Sequence, residues 1–259
     1  MYKYIYVCVC VWSIPLIVSW RVQGLSKAGA QVEEFERQFL KQAREMFPPV
    51  FHKWFLYKFT EPTEWFENRL IYIHSTAVWS IVGYCVGLGD RHGENILIDE
   101  KNGEAVHVDF DCLFDKGLSL EKPEVVPFRL TSNIVDAMGV TGYDGVFRRS
   151  CEVALAVMRS HQETLMGVLE TFIHDPLVEW KDPQSKQREI MNNIRQRLSG
   201  TGKDSLALSV SGQVHQLISA AASDSNLAKM SVIVRCSRAS GSVHFSFFSR
   251  RYIGWMPWL

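Results

Sequence analysis

An excess of charge of either sign is missing from this sequence: 28 Lys and Arg stand against 28 Asp and Glu in 259 residues. A balanced chain has no overall field to recruit nucleic acid, an anionic membrane or acidic ligands, so any binding must come from local patterns. Cysteine is sparse too. The six that occur (Cys8, Cys10, Cys85, Cys112, Cys151, Cys236) make no CxxC pair and lie too far apart for a zinc ribbon or a dense disulfide framework. Free thiols in a reducing compartment are expected. No internal repeat is evident. Long hydrophobic runs are absent except at the start, where "MYKYIYVCVCVWSIPLIVSWR" is almost uncharged between Lys3 and Arg21. That stretch, roughly 17 residues, only reaches the lower limit for a bilayer span. Pro15 interrupts it, its aromatic and β-branched residues favour strand, and no small-residue cleavage site follows. A poorly specified or buried segment is expected there rather than a signal or anchor.

What is present is a 47% hydrophobic content, ample for the core of one large domain or two small ones. From Gln31, "QVEEFERQFLKQAREMF" spaces Val32, Phe35, Phe39 and Phe47 as an amphipathic helix that Pro48 and Pro49 stop. "VFHKWFLYKF" reads as a shorter helix. Thr60 and Pro62 then read as cap and first turn of a long buried helix, with Phe66, Leu70, Ile73, Ala77, Ile81 and Tyr84 on one face and Gly87 and Gly89 at its end. "NILID" and "EAVHVDF" flank Lys101, Asn102 and Gly103, and Asn-Gly between β-type runs predicts a hairpin. Residues 110–131 carry turn residues without a clean period and read as a long functional loop. Helices are expected near 145–160 and 162–174, then a charged helix in "EWKDPQSKQREIMNNIRQRLSGTGKDS" closing in a glycine-rich linker, then a helical run in "SGQVHQLISAAASDSNLAKM" and an aromatic end, "YIGWMPWL".

The stretch "GLGDRHGENILID", residues 87–99, concentrates polar chemistry at the mouth of the hairpin. Phosphoryl transfer needs an acid at the attacking hydroxyl and oxygen ligands for the Mg²⁺ on the nucleotide phosphates. Protein kinases carry a catalytic-loop Asp, a metal-binding Asn five positions later, and a second Asp after the following hairpin. Asp90, Asn95 and Asp109 repeat that spacing. The hairpin would bring all three together.

"GDRHGENIL" with "HVDF" and "PFRLT" resembles the phosphatidylinositol 3-kinase superfamily and its protein-kinase arm, the phosphatidylinositol 3-kinase-related kinases. "FRRSCEVALAVMR" and "ETFIHDPLVEW" look like the ATR type of DNA-damage checkpoint kinase. The resemblance covers residues 22–230 and 252–259. It implies an α+β, predominantly helical chain with a kinase-like C-terminal lobe over 22–181, a linker helix and glycine-rich linker over 182–208, and a FATC-like tail over 209–259. It also implies Asp90 as the residue that orients or deprotonates a substrate hydroxyl, His92 beside the transferred phosphate, and Asn95 and Asp109 as ligands for Mg²⁺, with Mn²⁺ as the alternative ion, in an ATP-dependent serine/threonine protein kinase. A nuclear role in the DNA-damage response and a regulatory partner subunit of the ATR type follow from the same resemblance, with no direct nucleic-acid binding. Arg91 would steady the activation loop or pair with a surface acid, and His107 reads as a satisfied core residue. Asp111 stands where many kinases carry the glycine of "DFG", which puts the usual flip of that segment in doubt.

Two local motifs are decoys. "GLGDRHG" has the wrong glycine spacing for a dinucleotide loop, and "SGTGKDS" lacks the upstream glycine and the hydroxyl residue of a P-loop, where Arg197 and Asp204 stand. A lipid substrate is the lesser reading, because Asp111, Asp115, Glu121 and Glu124 outnumber Lys116 and Lys122 between Phe110 and Pro127. Residues 1–21 do not resemble the nucleotide-gripping small lobe, so a truncated, catalytically inactive form acting through protein contacts is the alternative. Residues 231–251 have no counterpart in the resemblance and read as an insertion without a convincing helix. Trp255, Pro257 and Trp258 are either a core anchor or an exposed partner surface.

Overall fold

The computed structural model describes residues 4–6, 19–23, 41, 44–45, 47–119, 124–173, 183–201, 207–230 and 242–246. Strand β1 is Tyr4–Tyr6 and β2 is Ser19–Gln23. Helices α1 (Phe51–Lys58) and α2 (Pro62–Val86) lead into the hairpin β3 (Ile96–Asp99) and β4 (Ala105–His107). A short helix α3 (Ser132–Asp136) follows, then α4 (Val146–Ser160), α5 (Gln162–Ile173) and α6 (Pro183–Ser199). The tail holds α7 (Val210–Ala221), α8 (Asp224–Met230) and β5 (Ser242–Ser246). The fold is α+β and predominantly helical, as expected. Of the anticipated helix over 31–47, Lys41, Arg44 and Glu45 are helical, Phe47 is a bend, and the rest lies outside the described residues. So do most of the apolar start, residues 202–206, and the terminal Trp255, Pro257 and Trp258.

Helix α2 ends where the sequence places its glycine. Gly87 takes a left-handed φ of 65°, and Leu88 N donates to Gly83 O at 2.8 Å, closing the last turn. Its start corrects the expectation. The residue before the helix is Glu61 rather than Thr60, with no side-chain cap, and Pro62 supplies the preset first-turn φ. Phe66, assigned to the buried face, is 49% exposed, while Asn68, Thr76 and Ser80 are buried. The buried face is therefore rotated and partly polar, because the hairpin and the 127–134 segment both press on it. Ser75 Oγ receives Ala105 N at 2.9 Å, and Tyr72 Oη donates to Ile134 O at 2.9 Å.

Helix α1 carries an aromatic wedge. Phe51, Phe55 and Phe59 are buried, with Phe51 edge-on to Tyr72 at 5.6 Å and Phe55 tilted against it at 5.2 Å. Its first amides are capped from α3: Val50 N donates to Asn133 Oδ1 and His52 N to Asp136 Oδ2, each at 2.9 Å. Helices α2 and α4 form the most extensive helix contact among the described elements. Phe147, Cys151 and Leu155 on α4 are fully buried, and the free thiols of Cys85 and Cys151 act as small apolar core groups.

The hairpin forms with the register Ile96 opposite His107, Leu97 opposite Val106 and Ile98 opposite Ala105. Its turn is closed by Gly103 N donating to Asp99 O at 2.8 Å, with Gly103 at φ 73°. On the other side of β3, β1 adds antiparallel, Tyr4 opposite Asp99. A separate two-stranded sheet pairs β2 with β5, so strand stands in both segments that fell outside the resemblance, 1–21 and 231–251.

The tail docks through buried polar clasps as well as apolar side chains. Val214, Leu217, Ile218 and Ala221 of α7 are buried, and Ser209 caps that helix by accepting from Gly212 N at 3.1 Å. Arg159 on α4 donates to Leu198 O, Leu208 O and Gln213 Oε1, joining α6 to α7. Among the described residues no helix is long and apolar enough to cross a membrane. Truncating Phe147, which is 0% exposed, removes a side chain at the centre of this core. Phe147→Ala is expected to lower unfolding stability by about 3–5 kcal/mol in urea titration, with little change in the slope.

Candidate functional site

The loop from Gly87 to Asn95 leaves α2 and enters β3, and the segment after β4 runs back beside it. Gly89 N donates to Cys112 O at 2.7 Å, Phe114 N to Val86 O at 3.2 Å and Asp115 N to Gly87 O at 2.9 Å. A side chain at Gly87 would strike Asp115 and Arg197, the pair joined by a 2.6 Å ion pair from the activation segment to α6.

The structure carries Asp90, His92 and Asn95 on one loop and joins that loop by backbone bonds to the segment of Asp109. Asn95 sits one step below the last ladder pair and accepts Val108 N at 3.1 Å, so it faces the residue before Asp109. Its Nδ2 donates to Asp90 O at 2.8 Å, which leaves Oδ1 as the carboxamide atom suited to a hard cation. Asp109 is exposed, and its Oδ1 receives Asp111 N at 3.2 Å. Asp90 and Asp109 both hold φ at 60°, a conformation costly for most side chains and tolerated best by Asn and Asp. Asp111 is not among the positive-φ residues, so the missing glycine imposes no strain.

His92 Nε2 lies 4.0 Å from Asp90 Oδ2, and its Nδ1 accepts Glu94 N at 3.2 Å. With Nδ1 occupied as an acceptor, the neutral ring carries its proton on Nε2, toward Asp90. Burial lowers the His92 pKa from its ordinary value, against the opposing pull of Asp90 and Glu94. The imidazole is therefore held neutral, as a hydrogen-bond donor.

Arg91 fits neither expectation. It is 5% exposed and pairs chiefly with backbone: Nε donates to Gly89 O at 2.9 Å, Nη1 to Val108 O at 2.7 Å, and Nη2 to Asp109 O. One guanidinium thus ties the 87–95 loop to the segment after β4 that delivers Asp109. Periodicity gives no hint of this, since the acceptors are carbonyls up to 18 positions away. His107 also differs. Its ring stacks on Trp79 at 4.9 Å and 4°, but Nδ1 is buried with no partner among the described residues, so it is not satisfied. Burial pushes its pKa down to about 3.

Sequence reasoning also misassigned Glu124, counted as a substrate-facing acid. Its carboxylate accepts Asp90 N at 2.7 Å and Arg91 N at 3.1 Å. Burial raises its pKa, while those two amides pull it back down. Asp115 is likewise committed, to Arg197. Cys112 nearby stays a thiol, its pKa raised by burial and by Asp90 and Glu124.

The "PFRLT" run is buried from Phe128 to Thr131, and the Arg129 charge adds to the lowering of the His92 pKa. Asn95, just before β3, and Asp109, just after β4, offer a carboxamide oxygen and a carboxylate, a donor set of the hard-oxygen kind that Mg²⁺ takes together with water and phosphate. Among the described residues no cluster of three His, Cys, Asp or Glu side chains could hold a metal by itself.

A profile of the family described as phosphatidylinositol 3- and 4-kinase matches residues 8–182, and a FATC domain profile matches residues 207–230. The chain is 54% identical over 222 residues to the protein named serine/threonine-protein kinase ATR of Arabidopsis thaliana, across 82% of this chain and 7% of that protein. It is 52% identical to the protein kinase rad3 of Schizosaccharomyces pombe, across 74% of this chain and 8% of that one. A solved structure described as the FAT and kinase domain of CtTel1 superposes with a TM-score of 0.72 at 36% identity, covering 88% of this chain and 15% of its own. The chain thus spans under a tenth of the length of these two relatives.

Replacing Arg91 with Met leaves three carbonyls without their donor. We expect about 2–4 kcal/mol lower stability and faster amide exchange at Asn95 and Val108. His107 supplies a pH test. Its folded pKa lies below its unfolded value of 6.5, so the unfolded chain gains the proton first as pH falls and stability drops from pH 6.5 toward 3. At pH 5 the loss is about 2 kcal/mol relative to pH 7.5, and His107→Phe, which keeps the stack on Trp79, should remove that part of the pH dependence in urea titrations.

Proposed function

Since the chain belongs to the phosphatidylinositol 3- and 4-kinase family, whose profile covers residues 8–182, we propose that it is the catalytic portion of a serine/threonine protein kinase of the DNA-damage checkpoint, ATR-like. The reaction is transfer of the ATP γ-phosphate to a Ser or Thr hydroxyl on a protein. The observation that supports the reading is that the Arg91 clip and the Asn95 bonds join the loop of Asp90, His92 and Asn95 to the segment that carries Asp109.

In this reading Asp90 accepts or orients the proton of the attacking hydroxyl. His92, neutral and protonated at Nε2, donates toward the charge that develops on the transferred group. Asn95 through Oδ1 and Asp109 through its carboxylate would hold Mg²⁺, which when bound would neutralise charge on the nucleotide phosphates. The αL backbone at Asp90 and Asp109 is strain held by the surrounding hydrogen bonds, so both carboxylates are in place before substrate arrives.

A protein substrate is favoured over a phosphoinositide. The relatives that match at 52% and 54% identity are named as protein kinases. From Phe110 to Pro127 the sequence carries two cations, Lys116 and Lys122, against four acids, where an inositol phosphate head group favours a cluster of cations. A nuclear location and a regulatory partner subunit of the ATR type belong to the same proposal.

The test offers the purified chain ATP and Mg²⁺ with a serine peptide and, separately, phosphoinositide vesicles. Label is expected in the peptide, and Asp90→Asn should lower the rate by about 10²–10⁴-fold. Label entering lipid alone would reverse the substrate class. Neither ATP binding nor transfer would replace the reading with a protein that acts through contacts only.

A further inference from the structure

We propose that Glu124 is a positioning residue of the catalytic loop: a carboxylate carried on the activation segment whose two oxygens hold the Asp90 and Arg91 amides and so fix the bend that presents Asp90. The inference rests on the reading of Asp90 as the hydroxyl-orienting group.

Three observations carry it. The two bonds are divided between the two oxygens, Oε2 to Asp90 N at 2.7 Å and Oε1 to Arg91 N at 3.1 Å, across 34 and 33 positions of sequence. Consecutive amides beside a residue at φ 60° form a concave anion seat, and the glutamate fills it from outside the loop. The seat is also sterically exclusive. A methyl at Gly89 would lie 2.6 Å from Glu124 Oε2 and 2.8 Å from Gly117 Cα, and one at Gly117 would lie 2.5 Å from the same oxygen. Two bare backbones close over the carboxylate, so it has nowhere else to go.

The consequence is that Asp90 is not placed by its own loop alone. Gly89 N reaches Cys112 O and Asp115 N reaches Gly87 O, which tie the segment to the loop ahead of the carboxylate, while Glu124 N returns to Gly117 O and folds the segment back on itself. A left-handed aspartate relaxes toward ordinary φ once its amide is released. The loop is then competent only while the activation segment is seated against it, which makes Glu124 the point where substrate-segment geometry and the orienting carboxylate meet.

The test uses the full chain with Glu124→Gln, which keeps one acceptor oxygen and nearly the same shape, and Glu124→Ala, which removes both. Amide exchange by NMR should accelerate at Asp90 and Arg91 by about tenfold or more in the Ala variant and by less in the Gln variant. Exchange at Ile98 and Ala105 in the hairpin should stay unchanged. In peptide phosphorylation kcat should fall in the same order, while KM for ATP stays within about twofold, a split that general loosening of the fold would not give.

Unchanged exchange at Asp90 and Arg91 in both variants would overturn the proposal, and so would an unchanged kcat where Asp90→Asn is inactive. If the Ala variant does not fold, the Gln variant decides alone. Full activity in Asp90→Asn would instead overturn the reading of Asp90, and the amide exchange would still report on the Glu124 contact.

Discussion

A buried guanidinium with backbone carbonyls on three sides governs this structure. Arg91 cannot lose its proton inside a protein, and it is shielded from water, so its donors must find acceptors. It finds them in Gly89, Val108 and Asp109, on the two segments that carry the site. The carbonyls are equally in need of donors, so the cost of burial on each side holds the other in place. Displacing either segment would leave several polar groups unpaired at once, which makes the arrangement cooperative. Asn95, bonded to Asp90 O and to Val108 N, repeats the same device one step along the ladder.

The surrounding lobe serves that small polar knot. Helix α2 runs under it and ends in a left-handed glycine, because only a residue without a side chain can turn there beneath Asp115 and Arg197. The hairpin supplies the second strand, and the buried 128–131 run brings the Arg129 charge toward His92. Ser75 and Tyr72 of α2 reach the hairpin and α3, so the helix is bound to its neighbours by hydrogen bonds as well as by packing. The result is a rigid site on a predominantly helical frame.

Much of this was legible in the sequence. The five-residue interval from Asp90 to Asn95, the Asn-Gly turn and the helix-ending glycines are local signals with direct physical causes, and each appears in the structure where local rules place it. Helices α1, α2, α4, α5, α6 and α7 were readable for the same reason. The errors share a cause of the opposite kind. Glu124 reads as one more acid in a loop, because its partners stand more than 30 positions upstream. Arg91 stays open between steadying the activation loop and pairing with a surface acid, because carbonyl acceptors leave no trace in residue type. Phe66 reads as core, because spacing alone does not say which of two adjoining faces the hairpin covers. Short α3 has too few turns for a period and escaped notice. The resemblance supplied roles for Asp90, His92, Asn95 and Asp109, while the spacing supplied only their proximity.

The clasp made by Arg159 has a bearing on how this chain could vary. Its three donors pin Leu198 O, Leu208 O and Gln213, and Leu208 N returns to Gly200 O at 3.0 Å, so the end of α6 and the start of α7 are held side by side independently of what joins them. With both ends fixed, doubling the length of the connection costs only about 0.6 kcal/mol of closure entropy. The junction between lobe and tail is therefore a permissive seam, where long inserts can accumulate without loosening the grip of one on the other.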